Sequence, residues 1–397
     1  MNFIFISPDF PKSYFNFCRE LKNLGINVLG ISQNSYYSLS NELKESLTDF
    51  YQVNNMEWYD DVYRAVAYFA SKYGKIDYIE SNNEYWLELE AKLRTDFNVT
   101  SGKKDDEIKF FKSKEAMKVC YKKARVPVAR FIIPTTLEEG IKFIEEVGYP
   151  VIVKPDNGVG AYNTYKINNY EELERFYKYD FPPIKYIMEE YINGELISFD
   201  GISDNNCDPV LFSNEVFPTP VMELVHSQGD VFYYSNKECP KDLEKAGRKV
   251  LKGFNARNRY FHLEFFRLKE DKVGLGKKGD ILGLEVNMRC PGGYTPDMIN
   301  FARSANTYRV WAETLAWGAT NENMSHPKYY CGYYARRYQN HYNHSSEDIM
   351  NRFSGKIVMH EQMPEVLAGA MGNDAYFIKT DSFEELMEFK KYCSEIE

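Results

Sequence analysis

In ILGLEVNMRCPGGYT, residues 281–295, three polar side chains stand at every second position: Glu285, Asn287 and Arg289. Strand side chains alternate between faces, so these three share one face while Leu282, Leu284, Val286 and Met288 share the other. An acid, an amide and a cation on a half-buried face cost free energy unless a partner offsets their desolvation. A second apolar run, YFHLEFFRL at residues 260–268, puts His262, Glu264 and Phe266 on one face and Leu263 and Phe265 on the other. The intervening KEDKVGLGKKGD is rich in Gly, Lys and Asp and predicts a turn. The two runs should therefore pair as an antiparallel hairpin that brings Glu264 near Glu285. Two carboxylates and an amide oxygen form a hard-oxygen set suited to magnesium, which keeps waters and binds through nucleotide phosphates. His262 reads as a packing residue.

A phosphate-binding segment would complement such a set. VIVKPDNGVGAYNTYKI, residues 151–167, carries Lys154 at the end of an apolar strand and then a loop with Gly158 and Gly160. The glycines let backbone amides approach phosphate oxygens, and the lysine supplies a point charge. This order differs from a P-loop, whose lysine follows the glycines and opens a helix; here TYKI reads as another strand. A second lysine, Lys114, lies in KFFKSKEAMKVC, residues 109–120. Ser113 is placed to cap the following helix, which puts Lys114 in its first turn. There the helix dipole disfavours a cation by some tenths of a kcal/mol unless an anion is near. The surrounding Lys103, Lys104, Lys109, Lys112 and Lys118 read as a solvated basic face.

Taken in this order, from about residue 110 to 320, the parts resemble the ATP-grasp superfamily and, within it, the carboxylate-amine ligases that join amino acids and peptides. The resemblance implies that Lys114, Lys154, Gly158 and Gly160 meet the phosphates of ATP. It makes YIMEEYINGEL, residues 186–196, the adenine hinge. Glu189 and the backbone of Glu190, Tyr191 and Ile192 would hold the adenine edge, with Glu195 near the ribose. Glu264, Glu285 and Asn287 would hold magnesium, expected as two ions with manganese as a substitute. Arg289, with Lys154 the expected catalytic residue, would hold a substrate carboxylate and the acyl phosphate formed from it, and the amides of Gly292 and Gly293 would serve as oxyanion donors. The implied activity is ATP-dependent amide or peptide bond formation through an acyl phosphate, releasing ADP and phosphate. The implied partners are a small carboxylate, an amine and a second copy in a homodimer. Two departures shape the expectation. The loop DNGVGAYNT is poorer in Gly and Ser than many family loops. CPGGYTP stands where biotin carboxylases carry Val-Glu-His, which argues against bicarbonate chemistry. D-alanine–D-alanine ligases share the EVN run and a Pro-Gly-x-Thr tail but usually lack an arginine at the place of Arg289. Two alternatives stay open: a small-molecule kinase that stops at a phosphorylated product, and a non-catalytic nucleotide-binding regulatory module.

The elements that must position these residues follow from patterning. Residues 2–7, 26–32, 49–53 and 76–81 predict strands separated by helices such as 12–24 and 57–73, hence an open parallel sheet. No GxGxxG follows the first strand, so dinucleotide binding has no support. The SNNE run at residues 81–84 lies past a strand end, where open α/β sheets bind ligands, so Asn82 and Glu84 should border the substrate pocket. A lid with the helix LEEGIKFIEEVG precedes a large antiparallel sheet, which ends in AYFIKT and a helix from Ser382. The expected class is α/β and α+β, an ATP-grasp architecture. Its parts are a Rossmann-like N-terminal domain at 1–110, a linker helix and lid at 111–187, and a C-terminal domain with the metal and substrate site at 188–397. The aromatic loop 217–234 with His226 and Tyr233, and Arg336 or Arg337, are further candidates for the pocket wall. His341 and His344 read as loop residues rather than a zinc site.

Composition sets bounds. A length of 397 residues suffices for two or three domains, and 44% hydrophobic with 27% charged residues is ordinary for a globular chain. A net charge of -9 without a basic patch interleaved with aromatics excludes nucleic acid. Seven cysteines without a CxxC pair predict reduced thiols, Cys290 beside Arg289 among them as a packed one. The opening MNFIFISPDF has no basic leader and only a short apolar run, and no stretch approaches the ~20 residues that cross a bilayer. The expectation is a cytoplasmic protein with no membrane partner.

Overall fold

The computed structural model describes residues 1–158, 163–181, 183–219 and 229–396. The N-terminal strands β1 (Asn2–Ile6), β2 (Asn27–Ser32), β3 (Asp49–Gln52) and β4 (Tyr78–Glu80) form a parallel sheet in the order β3-β2-β1-β4. All of β1 is buried, as expected for a parallel strand covered on both faces. Phe3 and Phe5 pack with Phe17 and Leu21 of the helix Phe15–Asn23 and with Trp311 of the helix Thr307–Trp317. Ile4 and Ile6 pack with Val62, Val66 and Phe69 of the helix Tyr59–Tyr73. A C-terminal helix thus closes one face of the N-terminal sheet.

A small antiparallel sheet follows, built from β5 (Phe131–Ile132), β6 (Val151–Pro155), β7 (Tyr165–Ile167) and β8 (Tyr186–Glu190) in the order β5-β8-β6-β7. The helix Leu137–Val147, capped by the Thr136 side chain, lays Phe143 and Ile144 against Val151, Val153 and Met188. The sheet includes β8 as far as Glu190.

The remaining strands are β9 (Gly194–Ser203), β10 (Pro209–Ser213), β11 (Glu215–Phe217), β12 (Val231–Ser235), β13 (Arg259–Leu268), β14 (Ile281–Asn287), β15 (Tyr330–Arg336), β16 (Ile357–Gln362) and β17 (Asp374–Thr380). They form one sheet in the order β14-β13-β9-β11-β12-β15-β17-β16, with β10 paired to β9. One face of β9, β13 and β14 presents Phe199, Phe261, Leu263, Phe265, Val286 and Met288, each fully buried against the helices Lys114–Ala124 and Lys241–Phe254. Burying a side chain of this size contributes roughly 1.5–3 kcal/mol. Gly247 lets the second helix close on the sheet, since a Cβ there would lie 2.3 Å from the Phe199 ring.

The hairpin β13–β14 is antiparallel, with Glu264 opposite Glu285 and His262 opposite Asn287. Its register then jumps: Phe265 faces Gly283, so Leu284 is an extra residue in a β-bulge. Leu284, expected on the apolar face with Leu282, instead stands half-buried in the wall of the polar cleft. The bulge leaves Glu285, Asn287 and Arg289 on that cleft face. Among the described residues no helix is long and apolar enough to cross a membrane, and all seven cysteines are free thiols.

Candidate active site

A cleft of about 360 Å³ opens between the small sheet and the polar face of the large one. From the small sheet come Lys154, Glu189 and Glu190, from the hinge after β8 Tyr191 and Ile192, and from β13 and β14 His262, Glu264, Glu285 and Asn287. Glu84, Arg289 and Gly292 close its far end.

Three lysines meet at the small-sheet end. The Ser113 side chain accepts from the Ala116 amide, so Lys114 is the first residue of its helix and points, 4% exposed, into the interior. Its Nζ lies 3.4 Å from Glu285 Oε1 and donates to the Gly158 carbonyl at 3.4 Å. Lys118, one helical turn further and on the same face, reaches Glu189 Oε1 at 2.5 Å, while Lys154 reaches Glu189 Oε2 at 2.7 Å. Burial alone would raise the Glu189 pKa, but Lys118 and Lys154 outweigh it and hold it down to about 2. Burial pushes Lys118 below the ordinary lysine range despite Glu189, whereas for Lys154 the carboxylates Glu189 and Glu285 overcome burial and push it up. Glu189 therefore anchors two buried ammonium groups.

The centre of the cleft holds the opposed carboxylates. His262 Nε2 lies 3.2 Å from Glu264 Oε1, and its Nδ1 lies 2.5 Å from Asp200 Oδ1. Although burial works against it, these carboxylates push the imidazole up to about 10, so His262 is a cation. For Glu264 the effect of burial is overcome chiefly by His262, which lowers its pKa. Glu285 is raised by burial, against Lys114 and Lys154, with Glu264 adding to the rise. Beside it, Asn287 Oδ1 is a buried acceptor with no partner among the described residues. Two carboxylates that repel in a half-buried cleft, next to an amide oxygen without a described partner, fit a hard divalent cation, which would relieve the repulsion and use the free acceptor. Among the described residues no group of three or more His, Cys, Asp or Glu side chains forms a metal cage. A magnesium ion here would take its remaining ligands from water and phosphate, as magnesium does.

At the far end, Arg289 Nη2 donates to Glu84 Oε2 at 2.8 Å and Nη1 to the Cys290 carbonyl at 2.9 Å. Lys112 Nζ donates to the Glu84 carbonyl at 3.3 Å. Glu84 follows β4 in the SNNE segment, where Asn82 adopts a left-handed backbone and its carbonyl accepts from Tyr14 Oη at 2.7 Å. The loop past the parallel sheet thus meets the segment just after β14 in an ion pair.

Other expected residues take other places. Glu195 lies between Gly194 and Leu196, which line the cleft, so strand alternation sends its side chain to the opposite face. Glu190 reaches the cleft wall, but its carboxylate is taken by Arg130, at 3.1 Å from Nε and 2.7 Å from Nη2. Tyr191 offers its carbonyl to Lys272 Nζ at 3.2 Å. Gly293 has a left-handed backbone against Met371, and neighbouring Gly292 is open to the cleft. Arg336 and Arg337 donate to backbone carbonyls, among them Cys393 and Gly229, and Tyr233 stacks on Phe217 and Tyr333. Gly160 and His226 lie outside the described residues. Lys118 and His262 are the cleft residues that the sequence reading assigned elsewhere.

Residues 118–291 match the ATP-grasp domain family. The chain is 23% identical over 310 residues to an L-arginine-specific L-amino acid ligase of Bacillus subtilis, covering 75% of this chain and 71% of that protein. It is 30% identical over 145 residues to D-alanine–D-alanine ligase B of Clostridium perfringens, covering 34% of this chain and 43% of that one. Its fold matches the crystal structure of an L-amino acid ligase from Bacillus licheniformis with a TM-score of 0.71 at 15% identity, covering 100% of this chain and 97% of the other. The matched domain runs from Lys118 to the residue after Cys290 and so contains Lys154, Glu189 and the hairpin carboxylates. The chain thus carries a segment that matches the ATP-grasp domain family, and it is similar over most of its length to ATP-dependent carboxylate-amine ligases.

Proposed function

We propose that this ligase joins the carboxylate of one α-amino acid to the amine of another through an acyl phosphate. One observation carries the reading. The facing pair Glu264 and Glu285, with the unpartnered Asn287 oxygen, lies between a lysine end suited to phosphates and a Glu84–Arg289 pair suited to a zwitterion. Lys114, Lys118 and Lys154 hold the nucleotide phosphates, and the hinge at Tyr191 and Ile192 borders the adenine. Glu264, Glu285 and Asn287 would hold magnesium, as two ions or with manganese in its place, and the metal would supply neutralising charge to the phosphoryl group in transfer.

Arg289 orients the substrate carboxylate, and Glu84 fixes the guanidinium through its hydrogen bond. A carboxylate oxygen attacks the γ-phosphorus of ATP, and ADP leaves. The amine then attacks the acyl carbon, the C–N bond forms, inorganic phosphate departs and the amine loses a proton. The amides of Gly292 and Gly293 and the Arg289 guanidinium face the tetrahedral oxyanion. The cytoplasm, which supplies ATP and keeps thiols reduced, is the compartment this chemistry requires.

The test is to incubate the protein with magnesium and ATP against amino acids singly and in pairs, reading ADP release and new amides by mass spectrometry. Turnover that needs two amino acids and gives a dehydrated product is expected. ADP release with one substrate, giving a stable phosphorylated product that hydroxylamine does not trap, would replace the ligase by a kinase. ATP binding without turnover across the panel would leave a regulatory module.

A further inference from the structure

A second, larger cavity lies away from the cleft, at the seam between the end of the parallel sheet and the start of β13. Its volume is about 550 Å³, within the ~300–1,000 Å³ of small-molecule sites. Its floor is a buried ion network. Arg259 Nη2 donates to both Glu80 oxygens at 3.1 and 3.2 Å, Arg94 Nη2 lies 3.1 Å from Glu80 Oε1, and the same nitrogen donates to Glu90 at 2.7 Å. Arg259 is 5% exposed, yet its Nε–H has no acceptor among the described residues. The adjacent Asn258, held in a left-handed backbone at φ 45°, has an Oδ1 that accepts from no described residue. An unpaired buried polar group carries a desolvation penalty that a matching ligand would recover.

We propose that this cavity is a second ligand site, for a zwitterionic amino acid or dipeptide, separate from the catalytic cleft. One orphan is a cationic donor and the other a neutral acceptor, so together they ask for a ligand with both a carboxylate and an ammonium. The rim carries both charges, Lys75, Lys103 and Arg257 positive and Asp77 and Glu107 negative, with Lys103 Nζ 3.0 Å from Glu107 and Lys75 Nζ 4.0 Å from Asp77. A simple anion would use only half of these groups. The volume exceeds what one small amino acid fills, which leaves room for a side chain or a second residue.

Three segments connect the cavity to the cleft. Glu80 lies four residues before Glu84, Phe111 three before Lys114, and Arg259 five before Glu264. Phe111 also packs under the Arg259 guanidinium, 5.2 Å from carbon to ring centre. Occupation of the seam therefore acts on elements that carry the Arg289 partner, a phosphate lysine and a metal carboxylate.

The test uses the full chain labelled at isoleucine methyl groups, where Ile76 lines the seam cavity and Ile192 the nucleotide cleft. The twenty amino acids and their glycyl dipeptides are titrated in turn and followed by NMR. At least one should move the Ile76 signal saturably. The exposed substitutions Arg257→Ala and Asn205→Trp should each weaken that binding at least tenfold while leaving the ATP response of Ile192 unchanged. An Ile76 signal unmoved by every probe, or moved equally in both variants, would overturn the proposal. So would inorganic phosphate or acetate binding as well as the amino acids. Because binding is read without turnover, failure here is distinguishable from failure of the ligase reading.

Discussion

At Glu189 one buried carboxylate holds two ammonium groups, and that sharing fixes Lys118 and Lys154 at the small-sheet end of the cleft, where the proposed function puts a phosphate. A charge-assisted contact contributes about 1.5–3 kcal/mol, so Lys118→Met should lower kcat/KM for ATP by roughly 10- to 100-fold. Steady-state kinetics with ATP varied reads this, and an unchanged value would make Lys118 a structural counter-ion only. Glu285→Ala should abolish ADP release while the protein stays folded by circular dichroism; full turnover in this variant would refute the metal assignment. Glu264, Glu285, Asn287 and Arg289 were legible in the sequence because a period of two sorts them from the apolar residues between them. Lys118 was not, since it sits in a lysine-rich run and its partner Glu189 is far along the chain. Its spacing of four from Lys114 was the available signal. The charge on His262 depends on Asp200, and only the pairing of β9 with β13 brings the two together.

Elements position these groups through close packing, and Gly283 is such a point on β14. A Cβ at Gly283 would lie 2.2 Å from the ring of Tyr121, which belongs to the helix that also carries Lys114 and Lys118. Gly283→Ala should therefore destabilise the chain by about 1–3 kcal/mol, as overpacking does, and lower activity by shifting Glu285. Urea denaturation reads the first effect. Tyr121→Leu in the same chain should restore part of it, and strictly additive losses would show that the contact is not the cause. The strands and helices were legible from apolar periodicity, and the hairpin from its turn residues. The bulge at Leu284 was not, because a bulge is a mismatch between two strands and leaves no mark in either one. The order of the nine-stranded sheet was equally hidden, since β9 pairs with β13 across a long stretch of chain.

Over the whole molecule, the centre of the large sheet sets a pH dependence of stability. Glu215 on β11 is fully buried, and Ser235 Oγ lies 2.7 Å from each carboxylate oxygen. Burial, reinforced by the charge of Asp200 and opposed by Arg303 and His262, pushes its pKa up to about 8. The folded chain therefore keeps a proton that the unfolded chain releases near 4.5. Between these values the native state binds more protons, so this group's contribution is fully present below the lower pKa and is lost as pH rises through the higher one. The slope approaches about 1.4 kcal/mol per pH unit for a single group. Glu215→Gln keeps the shape and a hydrogen-bonding oxygen but does not titrate. Its stability relative to the unsubstituted chain should rise between pH 5 and 8, by on the order of 2 kcal/mol in urea denaturation. Parallel loss of stability in both proteins would mean that Glu215 is ionised in the folded state, with Arg303 balancing a charge at the centre of the sheet.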